Sequence, residues 1–138
     1  MKESTNLRLG ELFCGPGGIG CGAKKSAISM KGRLFGFKHI WATDNHKDSC
    51  DTYRNNLDVT QIIHLPIEKL FLNKNKLRNM GKVDCLTFGF PCNDFSNVGE
   101  KKGFKGKFGP LYIYCVKAVN FFNPDIFIAE NVSGMRSS

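Results

Sequence analysis

The chain has 138 residues, of which 41% are hydrophobic and 23% are charged, and its formal net charge is +8. This length fits one domain with a buried core, and the composition excludes a disordered or low-complexity chain. The positive charge favours a polyanionic partner such as nucleic acid or an anionic membrane surface.

The cysteines and the apolar stretches bear on compartment and on metal binding. The first 13 residues lack the apolar core of a signal peptide, and no stretch approaches the ~20 apolar residues of a membrane span. The six cysteines and three histidines form no CxxC pair and show no zinc-ligand spacing. We therefore expect a cytoplasmic protein with reduced, mostly buried thiols, no metal and no membrane anchor.

The first half of the chain alternates strand-like and helix-like patterns. Residues 7–13 predict a strand that runs into a glycine cluster at 14–20. Apolar residues then recur at helical spacing and predict a helix that continues to Met30. The elements expected next are a strand at 37–43 that ends at Asp44, a helix with Cys50, Tyr53 and Leu57 on one face, and a strand at 60–64.

The second half continues this alternation. Residues 67–80 are basic and poorly patterned, which predicts a short helix and a loop. Residues 111–122 are apolar nearly all round, so we expect a heavily buried helix that Asn123-Pro124 ends. The other expected elements are a buried strand at 83–89, a long polar loop at 90–109 and a last strand at 125–130.

Strands that alternate with helices predict an α/β fold with a doubly wound, mostly parallel sheet. Ligands of such sheets bind beyond the carboxyl ends of the strands. The glycine cluster, Asp44, the polar loop and Glu130 all follow predicted strands. We therefore expect the functional site at this edge.

The glycine cluster is typical of a nucleotide-binding turn. Gly15, Gly17 and Gly20 match G-x-G-x-x-G, and Asp44 follows where a ribose-binding acid is expected. This pattern indicates an adenosine-containing cofactor and does not separate a nicotinamide cofactor from S-adenosylmethionine. The alternatives are a tight turn without a ligand and an Asp44 that only caps a helix.

Cys92 and Glu130 are the residues whose chemistry suits catalysis. Cys92 follows a proline beyond a buried strand, where a thiolate would face the cleft as a nucleophile. Glu130 ends the neighbouring predicted strand, and a carboxyl group in an apolar setting can share a proton near neutral pH. The alternatives are a buried apolar cysteine and a surface or capping acid.

Together these segments resemble the DNA (cytosine-5)-methyltransferases. The resemblance rests on FCGPGGIG at 13–20, Asp44, GFPCNDFS at 89–96 and ENV at 130–132. It implies a Rossmann-like S-adenosylmethionine-dependent methyltransferase fold and a bacterial or phage origin. It also argues against the nicotinamide alternative, because a dehydrogenase needs neither the Pro-Cys nor the Glu-Asn-Val segment.

The resemblance implies a role for each matching residue. Cys92 would attack carbon 6 of a cytosine flipped out of double-stranded DNA, and Glu130 would contact ring nitrogen 3 and the exocyclic amine. Ser96, Asn131, Lys101 and Lys102 would contact the nucleic acid, although the lysines also fit a solvated loop. S-adenosylmethionine would be held by Phe13, Gly15, Gly17, Gly18, Asp44, Ile67, Gly89 and Pro91.

The chain also departs from the family pattern. Pro66-Ile67 stands where the family often has Asp-Ile to meet the adenine, so the adenine amine lacks that partner. Asn93 replaces a commoner glutamine, and residues 108–111 replace a frequent arginine-glycine pattern. These differences leave the nucleophile and the acid in place.

Family members continue well past the Glu-Asn-Val segment. We therefore expect residues 1–138 to form a partial catalytic domain, incomplete at its C-terminal side and without a target-recognition domain. Its last strand would be an exposed edge. One interpretation is a split methyltransferase completed by a second chain; another is a non-catalytic remnant that at most binds S-adenosylmethionine. A complete minimal enzyme and a tRNA substrate are further alternatives.

Overall fold

The computed structural model describes residues 4–90 and 111–131, which form a sheet and the helices that pack on it. The strands are β1 (Ser4–Leu12), β2 (Ile28–Met30), β3 (Arg33–Asp44), β4 (Val59–His64), β5 (Cys85–Phe88) and β6 (Ile126–Ala129). The helices are α1 (Gly18–Lys25), α2 (Lys47–Asn56), α3 (Ile67–Leu72), α4 (Lys74–Asn79) and α5 (Tyr112–Phe122).

The strands form one mostly parallel sheet. From one edge to the other, β4, β3, β1, β5 and β6 lie side by side and run in the same direction. The short β2 pairs antiparallel with the start of β3, on the edge that β4 occupies further along. The α/β fold predicted from the sequence is confirmed, and residues 67–80 form two short helices, α3 and α4.

Side chains on both faces of the sheet are buried under helices. Along β3, Trp41 belongs to the larger apolar cluster and the next residue, Ala42, belongs to the smaller one. The larger cluster includes Leu70 and Leu77 from α3 and α4, and Phe122 from α5 lies 4.8 Å from Trp41 between ring centroids. The smaller cluster includes Tyr53 of α2. Burying one large apolar side chain contributes roughly 1.5–3 kcal/mol, so these clusters stabilise the fold.

The helix predicted to continue to Met30 ends earlier, and that prediction was wrong. Helix α1 ends at Lys25, and Met30 belongs to β2, where its side chain is exposed. Lys31 and Gly32 both have positive φ, 49° and 78°, and they connect β2 to β3. A two-residue loop of this kind matches the twist of a hairpin. The short hairpin therefore replaces the last turns of the expected helix.

Helix α5 is less buried than its composition predicted. Cys115, Ala118 and Phe122 are buried, but Ile113 and Val116 are exposed on its other side. Its end at Asn123, which has a left-handed φ of 45°, agrees with the predicted stop. No helix within residues 4–90 and 111–131 is long and apolar enough to cross a membrane.

Strand β6 is apolar and exposed along its whole length. Ile126, Phe127 and Ile128 are 52%, 55% and 48% exposed. Only β5 pairs with β6 among the described residues, which fits the exposed edge expected from the sequence. Apolar side chains exposed on both faces of an edge strand form a surface that other polypeptide can cover.

Candidate functional site

A cavity of about 460 Å³ lies beyond the carboxyl ends of the strands. This is the edge at which open parallel sheets bind ligands, and the volume is typical of small-molecule sites. The lining combines apolar side chains with two carboxylates. Its residues are Phe13, Thr43, Asp44, Asn45, Leu65, Pro66, Ile67, Glu68, Gly89 and Leu111.

The glycine turn begins where β1 ends. Phe13 has a φ of 53°, in a region that residues other than glycine rarely adopt. Gly15 and Gly17 have φ of 52° and 104°. The Cys14 amide donates to the carbonyl of Thr43 at 3.0 Å, which joins the turn to the end of β3. The positive φ values explain why glycine occupies positions 15 and 17.

The glycines of the turn face different surroundings. A Cβ atom on Gly15 or Gly18 would meet nothing within 4 Å, so these two positions face open space. A Cβ atom on Gly17 would lie 2.8 Å from Leu57 Cδ1, so this glycine allows the turn to pack on the end of α2. Of these three, Gly15 and Gly18 are the better placed to approach a ligand, while Gly17 has a packing role.

Asp44 connects the turn to the start of α2. Its carboxylate accepts hydrogen bonds from the Gly15 amide and from the His46 amide, each at 2.8 Å. The N-cap of α2 is His46, whose side chain accepts from the Ser49 amide, so Asp44 is not the capping residue. A carboxylate has about four lone-pair sites. Asp44 therefore keeps free acceptor positions where it lines the cavity.

Ile67 and Phe13 supply apolar surface to the same cavity. Ile67 is 6% exposed, and Phe13 packs against the larger apolar cluster. Glu68, in the first turn of α3, adds a second carboxylate that was not anticipated. Several other lining residues were not predicted from the sequence. The only sequence signal for them was a position next to a strand end or a helix start. They are Thr43, Asn45, Leu65, Glu68 and Leu111.

Glu130 lies next to Gly89 at the ends of β6 and β5. A Cβ atom on Gly89 would lie 3.1 Å from a carboxylate oxygen of Glu130, so the acid stands over the glycine. The Glu130 amide donates to the carbonyl of Phe88 at 2.9 Å and extends the pairing of the two strands. Glu130 is exposed, so the apolar setting expected for this acid from the sequence is wrong.

Asn131 holds together the two segments that leave β5 and β6. Its side-chain amide donates to the carbonyl of Phe90 at 3.1 Å. Phe90 is the last described residue before the segment that contains Cys92. Asn131 therefore restrains the start of that segment, a role distinct from the nucleic-acid contact expected of it.

Several residues expected at the site lie outside the described residues. The Pro91-Cys92 pair follows β5 by a few positions, and β5 and β6 are adjacent and parallel as expected. The chain therefore leaves Phe90 from the same edge as Glu130. The expected residues not described are Pro91, Cys92, Ser96, Lys101 and Lys102.

Four of the five described cysteines are buried and unsuited to nucleophilic chemistry. Burial raises the pKa of Cys14, Cys50 and Cys85, and it raises the pKa of Cys115 to about 12. A thiol whose pKa is raised carries little of the reactive thiolate at neutral pH. These four behave as buried apolar residues, as expected. Within residues 4–90 and 111–131, no three His, Cys, Asp or Glu side chains cluster as metal ligands would.

Comparison of the sequence with known families gives one match over nearly the whole chain. The model of the family described as C-5 cytosine-specific DNA methylase matches residues 7–138. The type II methyltransferase M.BbvI of Brevibacillus brevis is 45% identical over 137 residues, which cover 96% of this chain and 36% of the relative. The type II methyltransferase M.PspPI of a Psychrobacter species is 35% identical, and the match covers 98% of this chain and 29% of that relative. The chain thus spans about a third of the length of these relatives.

Two solved structures share the fold. One is an Escherichia coli prophage-encoded protein described as a candidate DNA modification methyltransferase, with a TM-score of 0.66 and 24% identity. It is matched over 96% of this chain and 36% of its own. The other is a mutant of DNMT2 from Spodoptera frugiperda, with a TM-score of 0.65 and 22% identity, over 96% of this chain and 38% of its own. At these identities the likeness shows the fold alone.

Proposed function

Because this chain belongs to the C-5 cytosine-specific DNA methylase family, we propose that it supplies the cofactor-binding and nucleophile-bearing part of a type II modification enzyme. The reaction is methyl transfer from S-adenosylmethionine to carbon 5 of cytosine in DNA. The observation that carries this proposal is the cavity beyond the strand ends. Asp44 and Ile67 line it together with Gly89, next to which Glu130 stands.

The cavity fits an adenosine-containing cofactor. Phe13, Leu65 and Ile67 give an apolar slot for the adenine, and the free acceptor positions of Asp44 suit the ribose hydroxyls. The open space above Gly15 and Gly18 leaves room for the rest of the molecule. Bound there, S-adenosylmethionine would supply an activated methyl group.

The chain's own residues would prepare the cytosine to accept that group. Carbon 5 of cytosine is too electron-poor to be alkylated directly. The Cys92 thiolate adds to carbon 6, and Glu130 hydrogen-bonds ring nitrogen 3 and the exocyclic amine. The addition makes carbon 5 nucleophilic. After methylation, loss of the carbon 5 proton and departure of the Cys92 thiolate restore the ring.

The target base has to leave the DNA helix before Cys92 can reach it. The exposure of Glu130 suits this requirement, because an acid at an open edge is accessible to a flipped base. The net charge of +8 favours binding of the DNA backbone. We assign Lys101 and Lys102 to phosphate contacts and Ser96 to the approach of the nucleotide.

A second candidate function is cofactor binding without methyl transfer by this chain alone. The exposed apolar side chains of β6, Ile126, Phe127 and Ile128, favour it. In an active enzyme, we propose that further polypeptide covers this strand, either in a longer form of the protein or in a second chain. That polypeptide would also carry the surface that reads the target sequence.

Two measurements on this chain separate the candidates. Calorimetry with S-adenosylmethionine should show binding in the wild type. Incubation with methyl-labelled cofactor and cytosine-containing duplex then tests transfer. Binding without transfer supports the second candidate, and absence of binding contradicts both.

A cysteine variant tests the nucleophile in any preparation that transfers the methyl group, including one completed by further polypeptide. The change Cys92→Ser should abolish transfer and leave cofactor binding unchanged. The matched control is Cys21→Ser, which alters a partly exposed thiol of α1. Transfer that survives Cys92→Ser would overturn the assignment.

A further inference from the structure

A hydrogen-bonded network of buried polar side chains lies beneath the glycine turn. Glu11, Tyr53 and His39 are 1%, 0% and 6% exposed. The Tyr53 hydroxyl donates to Glu11 Oε2 at 2.8 Å, and Nδ1 of His39 lies 3.0 Å from the same hydroxyl. The backbone N–H of Gly20 in α1 lies close enough to the Glu11 carboxylate to lower its pKa. Buried carboxylates are rare unless they are hydrogen-bonded, so this arrangement calls for a role.

The hydrogen bonds of this network, from His39 through Tyr53 to Glu11, have one favourable direction. His39 Nε2 has no hydrogen-bond partner among the described residues. An unpartnered buried N–H costs more than an unpartnered lone pair, so the hydrogen belongs on Nδ1. His39 then donates to Tyr53, and Tyr53 donates to Glu11. The network ends on an ionised carboxylate, which accepts from Tyr53 and lies near the Gly20 amide.

Protonation of Glu11 disturbs this order. A neutral carboxyl group accepts hydrogen bonds more weakly than an ionised carboxylate does, even where the added proton lies on the other carboxyl oxygen. The interactions of Tyr53 and the Gly20 amide with Glu11 therefore weaken. Burial nevertheless raises the pKa of Glu11 to about 7, so both forms of this carboxyl group are populated near neutral pH.

The glycine turn packs directly on this hydrogen-bonded network. A Cβ atom on Gly20 would lie 2.8 Å from the Tyr53 hydroxyl and 3.1 Å from Glu11 Oε2. Gly20 belongs to the first turn of α1, which begins at Gly18 immediately after the turn. The N-cap residue of α1, Gly17, has no side chain to cap the helix. Glu11 therefore supplies from β1 an acceptor that the helix start lacks.

From this geometry we propose that Glu11 is a positioning residue for the cofactor site. Its ionised carboxylate holds the Gly20 amide and Tyr53, and thereby keeps the glycine turn in the shape that binds the cofactor. Protonation of Glu11 loosens the turn and weakens cofactor binding. This inference rests on the proposed function, since it takes the turn to be part of the cofactor site.

Other side chains face this hydrogen-bonded network from each element packed against it. Thr87 on β5 and Ala42 on β3 flank Glu11 in the sheet, and neither is ionisable. Lys24 of α1 lowers the pKa of His39, and Asp58 raises it. The remaining groups are the thiols of Cys14, Cys21 and Cys50 and the carboxylate of Asp44.

The experiment compares cofactor affinity across pH in four proteins. Calorimetry with S-adenosylmethionine at pH 6, 7 and 8 is run on the wild type, Glu11→Gln, Tyr53→Phe and Thr87→Val. The ionisation of the ligand is the same for every protein, so differences between proteins isolate Glu11. Thr87→Val is the matched control, because it removes a buried hydroxyl beside Glu11 that has no link to the turn.

We expect wild-type affinity to rise relative to Glu11→Gln by about tenfold between pH 6 and pH 8, the equivalent of one hydrogen bond. Glu11→Gln should bind at the weaker level across this range. Tyr53→Phe should move the transition to higher pH, because it removes a donor to the carboxylate. A Glu11→Gln protein that keeps the wild-type profile overturns the inference, as does a Thr87→Val protein that loses it.

Hydrogen exchange without ligand keeps this inference separate from the proposed function. Protection of the amides in residues 15–20 should fall in Glu11→Gln and stay unchanged in Thr87→Val. If the wild type binds no cofactor but this protection falls, the proposed function fails and the positioning of the turn stands. If cofactor binds normally and protection is unchanged in Glu11→Gln, the positioning role fails and the proposed function stands.

Discussion

The carboxylate of Asp44 accepts a hydrogen bond from the amide of Gly15 at 2.8 Å. This bond joins the end of β3 to the glycine turn after β1, two segments that are 29 positions apart in the chain. The acid that faces the cavity is thus also the acid that fixes the turn. Loss of Asp44 should therefore lower both the affinity for the ligand and the stability of the fold.

The first prediction concerns this double role. Asp44→Ala should lower the affinity for S-adenosylmethionine by about tenfold or more, because it removes the ribose acceptor. It should also lower the free energy of unfolding by roughly 1–3 kcal/mol, because two backbone amides lose their partner. Calorimetry and urea denaturation measure the two effects. Asp58→Ala removes an exposed carboxylate and serves as the control; an equal loss of affinity in both variants would contradict the assignment.

The second prediction concerns the packing of the turn. Gly17→Ala should lower the free energy of unfolding by roughly 1–3 kcal/mol, because its Cβ would lie 2.8 Å from Leu57 and its φ is 104°. Gly22→Ala is the matched control in α1, where a Cβ meets nothing within 4 Å. That change should be neutral or stabilising by up to about 1 kcal/mol. Equal stabilities of the two variants in urea denaturation would show that the described packing is wrong.

The third prediction concerns the pH dependence of stability. Burial raises the pKa of Glu11 from 4.5 to about 7, so its contribution is complete below pH 4.5 and is lost as the pH rises to about 7. Burial lowers the pKa of His39 below 6.5, so its contribution is present above pH 6.5 and is lost as the pH falls. Glu11→Gln should remove the first trend and leave stability rising with pH. Melting temperatures between pH 5 and pH 8 that keep the wild-type slope in Glu11→Gln would refute this.

The fourth prediction concerns the exposed strand β6. We expect the exposed apolar side chains of β6 to make this chain self-associate in solution. The double change Ile126→Lys and Ile128→Lys should reduce that self-association without unfolding the protein, since both side chains are about half exposed. Phe127→Lys should be destabilising by about 0.5–1.5 kcal/mol, because the Phe127 ring stacks on Phe88 with centroids 6.0 Å apart. Light scattering and thermal unfolding test the two effects. Unchanged self-association in the double variant would argue that β6 is not the surface involved.

The sequence predicted the alternation of strands and helices along the chain, and thus the parallel sheet, because its strands are short apolar segments bounded by glycine, asparagine and acidic residues. It failed at residues 26–32, where helical spacing continued by chance through Ala27 and Met30. The left-handed pair Lys31-Gly32 decides the local structure there, and hairpin pairing with Arg33 overrides the apolar spacing. It overestimated the burial of α5, since an apolar helix is buried only where something packs on it.

The candidate site was predictable to the extent that its residues belong to local motifs. Asp44 was found because it follows a strand end, which parallel sheets bring to one edge. Ile67 was found only through the resemblance to the methyltransferase family. Glu11 was missed, although an acid inside the apolar strand LRLGELF was a signal. Its partners Tyr53 and His39 are separated from it by 42 and 28 positions along the chain and meet only through tertiary packing.

The most direct test of the account is an experimental structure of this chain crystallised with S-adenosylhomocysteine. We expect the ligand in the cavity beyond the strand ends, with its ribose hydroxyls within hydrogen-bond distance of the Asp44 carboxylate and its adenine against Ile67. A ligand bound elsewhere, or a cavity filled by protein side chains, would contradict the proposal that this edge of the sheet holds the methyl donor.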